Sequence, residues 1–181
     1  MTPDNNHAMM EEIALPEHLL PVGSVLGPGV SALDLCLVLA KIFRVQYTEV
    51  ALLRLESGVL RFIFPEHLRT TGAIPISSKA VAAHTALSKK AEIFNNFARV
   101  KHASIFETIK PDENDATTAP APIQKLMSVP IMGRDAAVVG VIQISRKGLD
   151  PKLAQDFSRE DLHDLELLAG LLATAPAVLT N

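Results

Sequence analysis

The sequence predicts an α+β fold, with a central antiparallel β-sheet flanked by helices and the helices of the two chain ends sharing one face. Three observations lead there. Four apolar runs of β type occur as two pairs, at 50–55 with 59–64 and at 126–132 with 137–145, and each pair is joined by a short link containing glycine. Such tight links favour antiparallel pairing. Helical runs opened by capping residues stand at both ends of the chain and between the strand pairs. Hydrophobic residues make up 48% of 181, ample for the core of one domain of ordinary size.

Residues 1–28 are polar and interrupted by Pro3, Pro16, Pro21 and Pro28. Residues 1–29 are therefore expected to form an N-terminal tail, partly disordered, with a short apolar turn or helix at 13–20. The domain proper is expected over 30–181. Ser31, with Asp34 three residues on, has capping-box spacing and opens an almost continuously apolar helix over 32–43. The runs 50–55 and 59–64 flank Glu56-Ser57-Gly58 and read as a hairpin, with Arg54 and Arg61 pointing outward. Pro65 ends the second run, and a loop over 67–76 follows. Ser78 is the expected N-cap of a helix through Leu87, where Lys89 and Lys90 place positive charge at the helix end.

Residues 91–94 form a short extended candidate, and Asn95-Asn96 fits a turn. Ala98, Ile105, Phe106 and Ile109 give a helix over 98–109, before a loop over 110–122 that carries Asp112, Glu113 and Asp115. The pair 126–132 and 137–145 is joined across Gly133-Arg134-Asp135. Within it, Pro130 indicates an edge or bulge position and Gly140 a close approach by another backbone or a ring. After a loop over 146–157, Ser158 and Asp161 repeat the capping-box spacing. Leu162, Leu165, Leu168, Ala169 and Leu172 then form one apolar stripe of the last helix, with Leu167, Leu171 and Ala175 on a neighbouring face, and Pro176 stops it.

Composition narrows the function. A net charge of −3 supplies no basic field for nucleic-acid phosphates. The single cysteine permits neither a disulfide framework nor a cysteine-rich metal site. The six histidines never fall at His-x-x-x-His spacing, so neither metal nor haem ligation is expected. No apolar run is long enough to span a bilayer, and the first dozen residues lack the basic end and apolar stretch of a secretion signal. The expectation is a cytoplasmic protein without a nucleic-acid or membrane partner.

The segment Leu126-Met127-Ser128-Val129-Pro130-Ile131, a turn with Gly133, and then Val139-Gly140-Val141-Ile142-Gln143-Ile144-Ser145 resembles the closing strand pair of GAF domains. Phe157-Ser158-Arg159-Glu160-Asp161 through Leu168-Ala169 is similar to the last helix of that family. Ile74-Pro75-Ile76 and Lys90-Ala91-Glu92-Ile93-Phe94-Asn95-Asn96 resemble its middle. The resemblance spans about residues 30–179. It implies terminal helices on one sheet face and, on the other, middle helices and loops that roof a small-molecule pocket. It further implies a sensory or regulatory role. The cyclic-nucleotide pattern of some members is broken here: Phe97 follows Asn96, and Glu107-Thr108 follows Phe106. Bilin attachment would require a cysteine in the pocket, whereas Cys36 lies in the first long helix.

The expected function is thus a small-molecule-binding sensory or regulatory module that acts as a homodimer through its terminal helices. That pairing would bury the apolar surplus of helix 32–43 and the second stripe of the last helix. The candidate ligand contacts are His84, Asn95, Asn96, Phe97, His102, Phe106 and Gln143, with no cofactor identified. Asn95 and Asn96 serve equally well as a turn. Gln143, set to alternate with Val139 and Val141 on one sheet face, is either exposed or buried with a hydrogen-bond partner. Phe94, Phe97 and Phe106 with Met127 line a cavity or simply fill the core. Two alternatives stand beside this reading. One is a scaffold module whose pocket is filled by side chains. The other is an enzyme resembling the free-methionine-sulfoxide reductases of the same family, against which an inert, packed Cys36 would count.

Overall fold

The computed structural model describes residues 14–70, 72–97 and 121–180. Its framework is one six-stranded sheet in the order β3-β2-β1-β6-β5-β4, antiparallel at every pairing. The strands are β1 (Val50–Glu56), β2 (Val59–Phe64), β3 (Ala73–Pro75), β4 (Glu92–Phe94), β5 (Ile123–Met132) and β6 (Val138–Lys147). The first hairpin turns on Ser57 and Gly58, with φ of 49° and 76°, the left-handed backbone that a two-residue turn requires. β3 and β4, the two edges, are three residues long, which limits the unpaired backbone on offer to other chains.

The terminal helices lie on one face, as expected. They are α1 (Leu20–Val25), α2 (Ala32–Phe43), α4 (Arg159–Ala173) and α5 (Ala177–Thr180). Ser31 caps α2, accepting from the Asp34 N–H at 3.0 Å. Ser158 and Asp161 form the complete reciprocal box at the start of α4, with bonds of 3.0 and 2.7 Å. α2 lies over β1 and β2, α4 over β5. Leu35, Cys36, Leu39 and Phe43 of α2 meet Leu165, Leu168 and Leu172 of α4 in a common core with Leu52, Met127, Val129, Ile142 and Ile144 from the sheet. Part of the stretch expected as tail is packed into it: Leu19, in a 3-10 turn, and Val22 of α1 are fully buried.

The opposite face carries a second, smaller core under α3 (Val81–Ser88), containing Ala51, Leu53, Leu60, Phe62, Phe97, Leu126 and Val141. Two local expectations are corrected here. The N-cap of α3 is Ala80, and the Ser78 hydroxyl instead accepts from the Ala80 N–H two residues on, the local bond by which serine competes for a turn. Met127 belongs to the terminal-helix core, so it lines no cavity with Phe94 and Phe97. One slip in register explains a third: between Ile131 and Met132 the β5–β6 pairing skips Val139, a bulge that turns Val139 toward the terminal helices while Val141 faces α3.

Pro130 and Gly140 behave as their residue types require. β4 covers only Leu126 to Ser128 of β5, so the outer side of Pro130 has no ladder to serve. A Cβ on Gly140 would stand 2.4 Å from the Leu53 carbonyl oxygen of the neighbouring strand.

Candidate functional site

β5 and β6 run side by side through the sheet, and their register places Ser128 directly opposite Gln143. Both face α3, amid Leu126 and Val141, and both are buried. Thr85, on the inner side of α3 and fully buried, closes over them. Three contacts link the group: Gln143 Nε2 donates to Ser128 Oγ at 3.0 Å, Ser128 Oγ and Thr85 Oγ1 lie 2.7 Å apart, and Thr85 Oγ1 donates to the Val81 carbonyl at 2.9 Å.

Counting protons fixes the direction of this relay. A hydroxyl has one proton to give. Thr85 spends its own on Val81, so Ser128 donates to Thr85 and accepts from the Gln143 amide. Both hydroxyl protons and one amide proton are then used, and the relay leaves the side-chain carbonyl of Gln143 as an acceptor that it does not engage. The arrangement offers a ligand one oriented carbonyl oxygen set in an apolar wall, the usual composition of a small-molecule site. Ser145, further along β6 on the same face, spends its hydroxyl on the Glu49 carbonyl at 3.3 Å.

The other sequence candidates scatter. Phe97 is buried in the α3-side core and packs edge-on against Phe94, ring centroids 6.2 Å apart. Asn95 faces away from that core and acts as a clamp: its side-chain amide donates to the Phe157 carbonyl and its carbonyl accepts the Phe157 N–H, each at 3.0 Å. Its side chain thus reaches 62 residues along the chain instead of capping its own turn. Asn96 is exposed. His84 is exposed on α3, with Nε2 3.2 Å from Glu92 Oε2 of β4. His102 and Phe106 lie outside the described residues. Of the candidates, the structure brings together Gln143 and Phe97 on the α3 side.

Sequence reasoning missed Thr85 and Ser128 as members of this group. A signal existed for Ser128, a hydroxyl inside an otherwise apolar strand, which is the reason Gln143 drew notice. Thr85 gave none, since a threonine on a helix of small residues is equally at home facing solvent.

Cys36 is fully buried on the opposite face of the sheet, and burial pushes its thiol pKa far above the ordinary range. Arg146, at the end of β6, donates to the carbonyls of Gln155, Asp156 and Phe43 and stands 4.1 Å over the Phe157 ring. Burial lowers its pKa below the usual guanidinium range, opposed by Asp161 and Glu49. With Asn95 it ties the 148–157 loop to the sheet. Among the described residues no group of three or more His, Cys, Asp or Glu is placed to hold a metal ion, and no helix is long and apolar enough to cross a membrane.

The family model for the GAF domain matches residues 32–175 of this sequence. The chain belongs to the GAF domain family. No curated protein matches this GAF domain in sequence. Solved structures share its fold at low identity. The GAF domain of a phosphoenolpyruvate-protein phosphotransferase from Acinetobacter superposes with a TM-score of 0.64 at 15% identity, covering 88% of this chain and 90% of the other. The corresponding GAF domain from Coxiella burnetii gives 0.65 at 10% identity, over 88% and 90%. A type II free methionine-R-sulfoxide reductase from Thermoplasma acidophilum gives 0.55 at 16% identity, over 88% and 94%. GAF domains are in general sensory or regulatory ligand-binding modules, mostly without enzymatic activity, although the fold is shared with such reductases.

Proposed function

We propose that this GAF domain is a sensory or regulatory module that binds a small molecule between α3 and the β5–β6 pair and acts as a homodimer through its terminal helices. The observation that carries the ligand reading is the unspent carbonyl of Gln143. A buried glutamine whose amide is held by Ser128, itself fixed by Thr85, is pre-oriented, and holding an acceptor in place lowers the entropy cost of binding a donor. The ligand class that fits is a small, largely apolar molecule with a hydrogen-bond donor.

Dimerisation is supported by α2, where Leu33 and Leu37 follow each other one helical turn apart and each remain 40% exposed. Leu167 and Leu171 of α4 are half-buried on the same side of the sheet. The scaffold alternative is favoured by one observation, the close filling of the α3-side core by Phe97, Leu126 and Val81. The enzyme alternative would need a thiol near the α3 side, and the sequence's one cysteine is buried on the far side.

A thermal-shift screen against metabolites separates ligand binding from scaffold, because a ligand bound only to the native state must raise the midpoint. The expected result is a hit that Gln143→Leu abolishes. A screen without hits, or a hit indifferent to Gln143→Leu, overturns the site. Light scattering is expected to give twice the chain mass at micromolar concentration, and the chain mass for Leu33→Glu/Leu37→Glu. A monomeric wild type refutes the dimer.

A further inference from the structure

The first hairpin carries an unusual arrangement of charge. Arg54 of β1 and Arg61 of β2 are direct cross-strand partners, so their side chains share the terminal-helix face of the sheet. Like charges directly opposite one another destabilise a strand pair. Arg69, from the turn after β2, joins them, and the three arginines with Thr180 of α5 line a pocket of ≈ 150 Å³ that also touches Phe62 and Ile63.

Compensation is incomplete. Among the described residues Glu56 is the one carboxylate paired with the group, 3.1 Å from Arg54 Nη2 and 4.0 Å from Arg61 Nε. Among the described residues no carboxylate lines the pocket, and three arginines there face the one carboxylate of Glu56, a surplus of two positive charges. The Nε of Arg54 is buried without a hydrogen-bond partner among the described residues, and a stranded guanidinium N–H is costly. Next to Arg54 on β6 stands Gly140, which puts no side chain beside it.

We infer that this pocket is a binding site for a phosphate-type dianion, either free phosphate or the phosphoryl group of a small phosphate monoester. The chemistry selects the class. Guanidinium forks match the oxygens of a phosphoryl group two at a time, and a doubly charged anion balances the two surplus positive charges. The pocket volume admits a phosphoryl group. A bound dianion also relieves the Arg54–Arg61 repulsion within the hairpin. The site lies on the face of the sheet opposite Gln143 and stands whether or not the α3-side reading holds.

The test is a pair of titrations of the full chain, calorimetric and by thermal melting, with sodium phosphate against sodium chloride of equal ionic strength. Phosphate is expected to raise the midpoint by about 2 °C or more over chloride once it exceeds its dissociation constant tenfold. Arg61→Gln/Arg69→Gln, both surface positions, is expected to lose at least tenfold in affinity while melting in chloride at the wild-type midpoint or above. If the double variant does not fold, Arg69→Gln alone is expected to weaken phosphate by threefold or more. Gln143→Leu is expected to bind phosphate as wild type does. A glycerol phosphate titration assigns the source: tighter binding than phosphate points to a metabolite ester, weaker binding to the free ion. Equal midpoints in phosphate and chloride, or a phosphate shift that survives loss of both arginines, overturns the site.

Discussion

Replacing Ser128 by alanine should expose how much the relay under α3 contributes. Ser128 accepts the Gln143 amide and donates to Thr85, and all three side chains are buried. Without its hydroxyl, Thr85 keeps the bond to the Val81 carbonyl, whereas the Gln143 N–H has nothing to donate to. An unpaired buried donor costs about 1–3 kcal/mol, so we expect Ser128→Ala to lose about 2 kcal/mol. In a domain of this length that lowers the melting midpoint by about 4–8 °C. Removing both partners is different in kind, because apolar groups of similar shape leave no donor stranded. Ser128→Ala/Gln143→Met should recover about 1 kcal/mol relative to the sum of the single changes. Urea denaturation of the four proteins gives the coupling energy directly. A Ser128→Ala loss under about 0.5 kcal/mol, or strict additivity in the cycle, would refute the assigned direction of the relay.

Gly140→Ala should be the most damaging small change in the sheet, since its methyl group meets the Leu53 carbonyl of the adjoining strand at 2.4 Å. We expect a loss of about 3 kcal/mol or more, read as a fall in urea midpoint at unchanged slope. Asn95→Ala removes both bonds to the Phe157 backbone. It should cost about 2 kcal/mol and speed hydrogen exchange at the Phe157 amide, and protection equal to wild type would contradict the clamp. Cys36 should resist thiol reagents in the native protein and react once unfolded. Because burial raises its folded pKa above the ordinary 9.0, the unfolded chain loses this proton first. Stability relative to Cys36→Ala is then constant below pH 9 and falls by up to about 1.4 kcal/mol per pH unit above it.

What could be read from the residues was local. Ser31 and Ser158 announce their helices because a hydroxyl three residues ahead of an acid, before an apolar run, has few other uses, and both cap as expected. The first hairpin was equally plain, since Ser57-Gly58 supplies the left-handed turn. Gly140 and Pro130 announced a close backbone and an unpaired edge, and both exist. The misreadings came from tertiary context. Met127 and Gln143 sit on strands apolar on both faces, where alternation gives parity but not which face looks toward α3. The bulge at Val139 then resets that parity in mid-strand. Asn95 looked like a local turn residue because nothing near it in sequence reveals a partner at Phe157. Ser78 lost its capping role to Ala80 through a bond two residues long, too close in the chain for spacing rules to separate from a cap.

The strand order places β6 between β1 and β5, so the two antiparallel ribbons meet only through the last strand to leave the ribosome. Until residues 138–147 emerge, the first ribbon has an open flank at β1 and the second is missing a member. Native pairings of β1 with β6 join positions some ninety residues apart, such as Leu52 with Ile142, and closing so long a loop is slow. Residue 147 must therefore be made before the sheet can close, and until then the apolar flank of β1 stands uncovered, the kind of exposed strand edge on which folding intermediates associate.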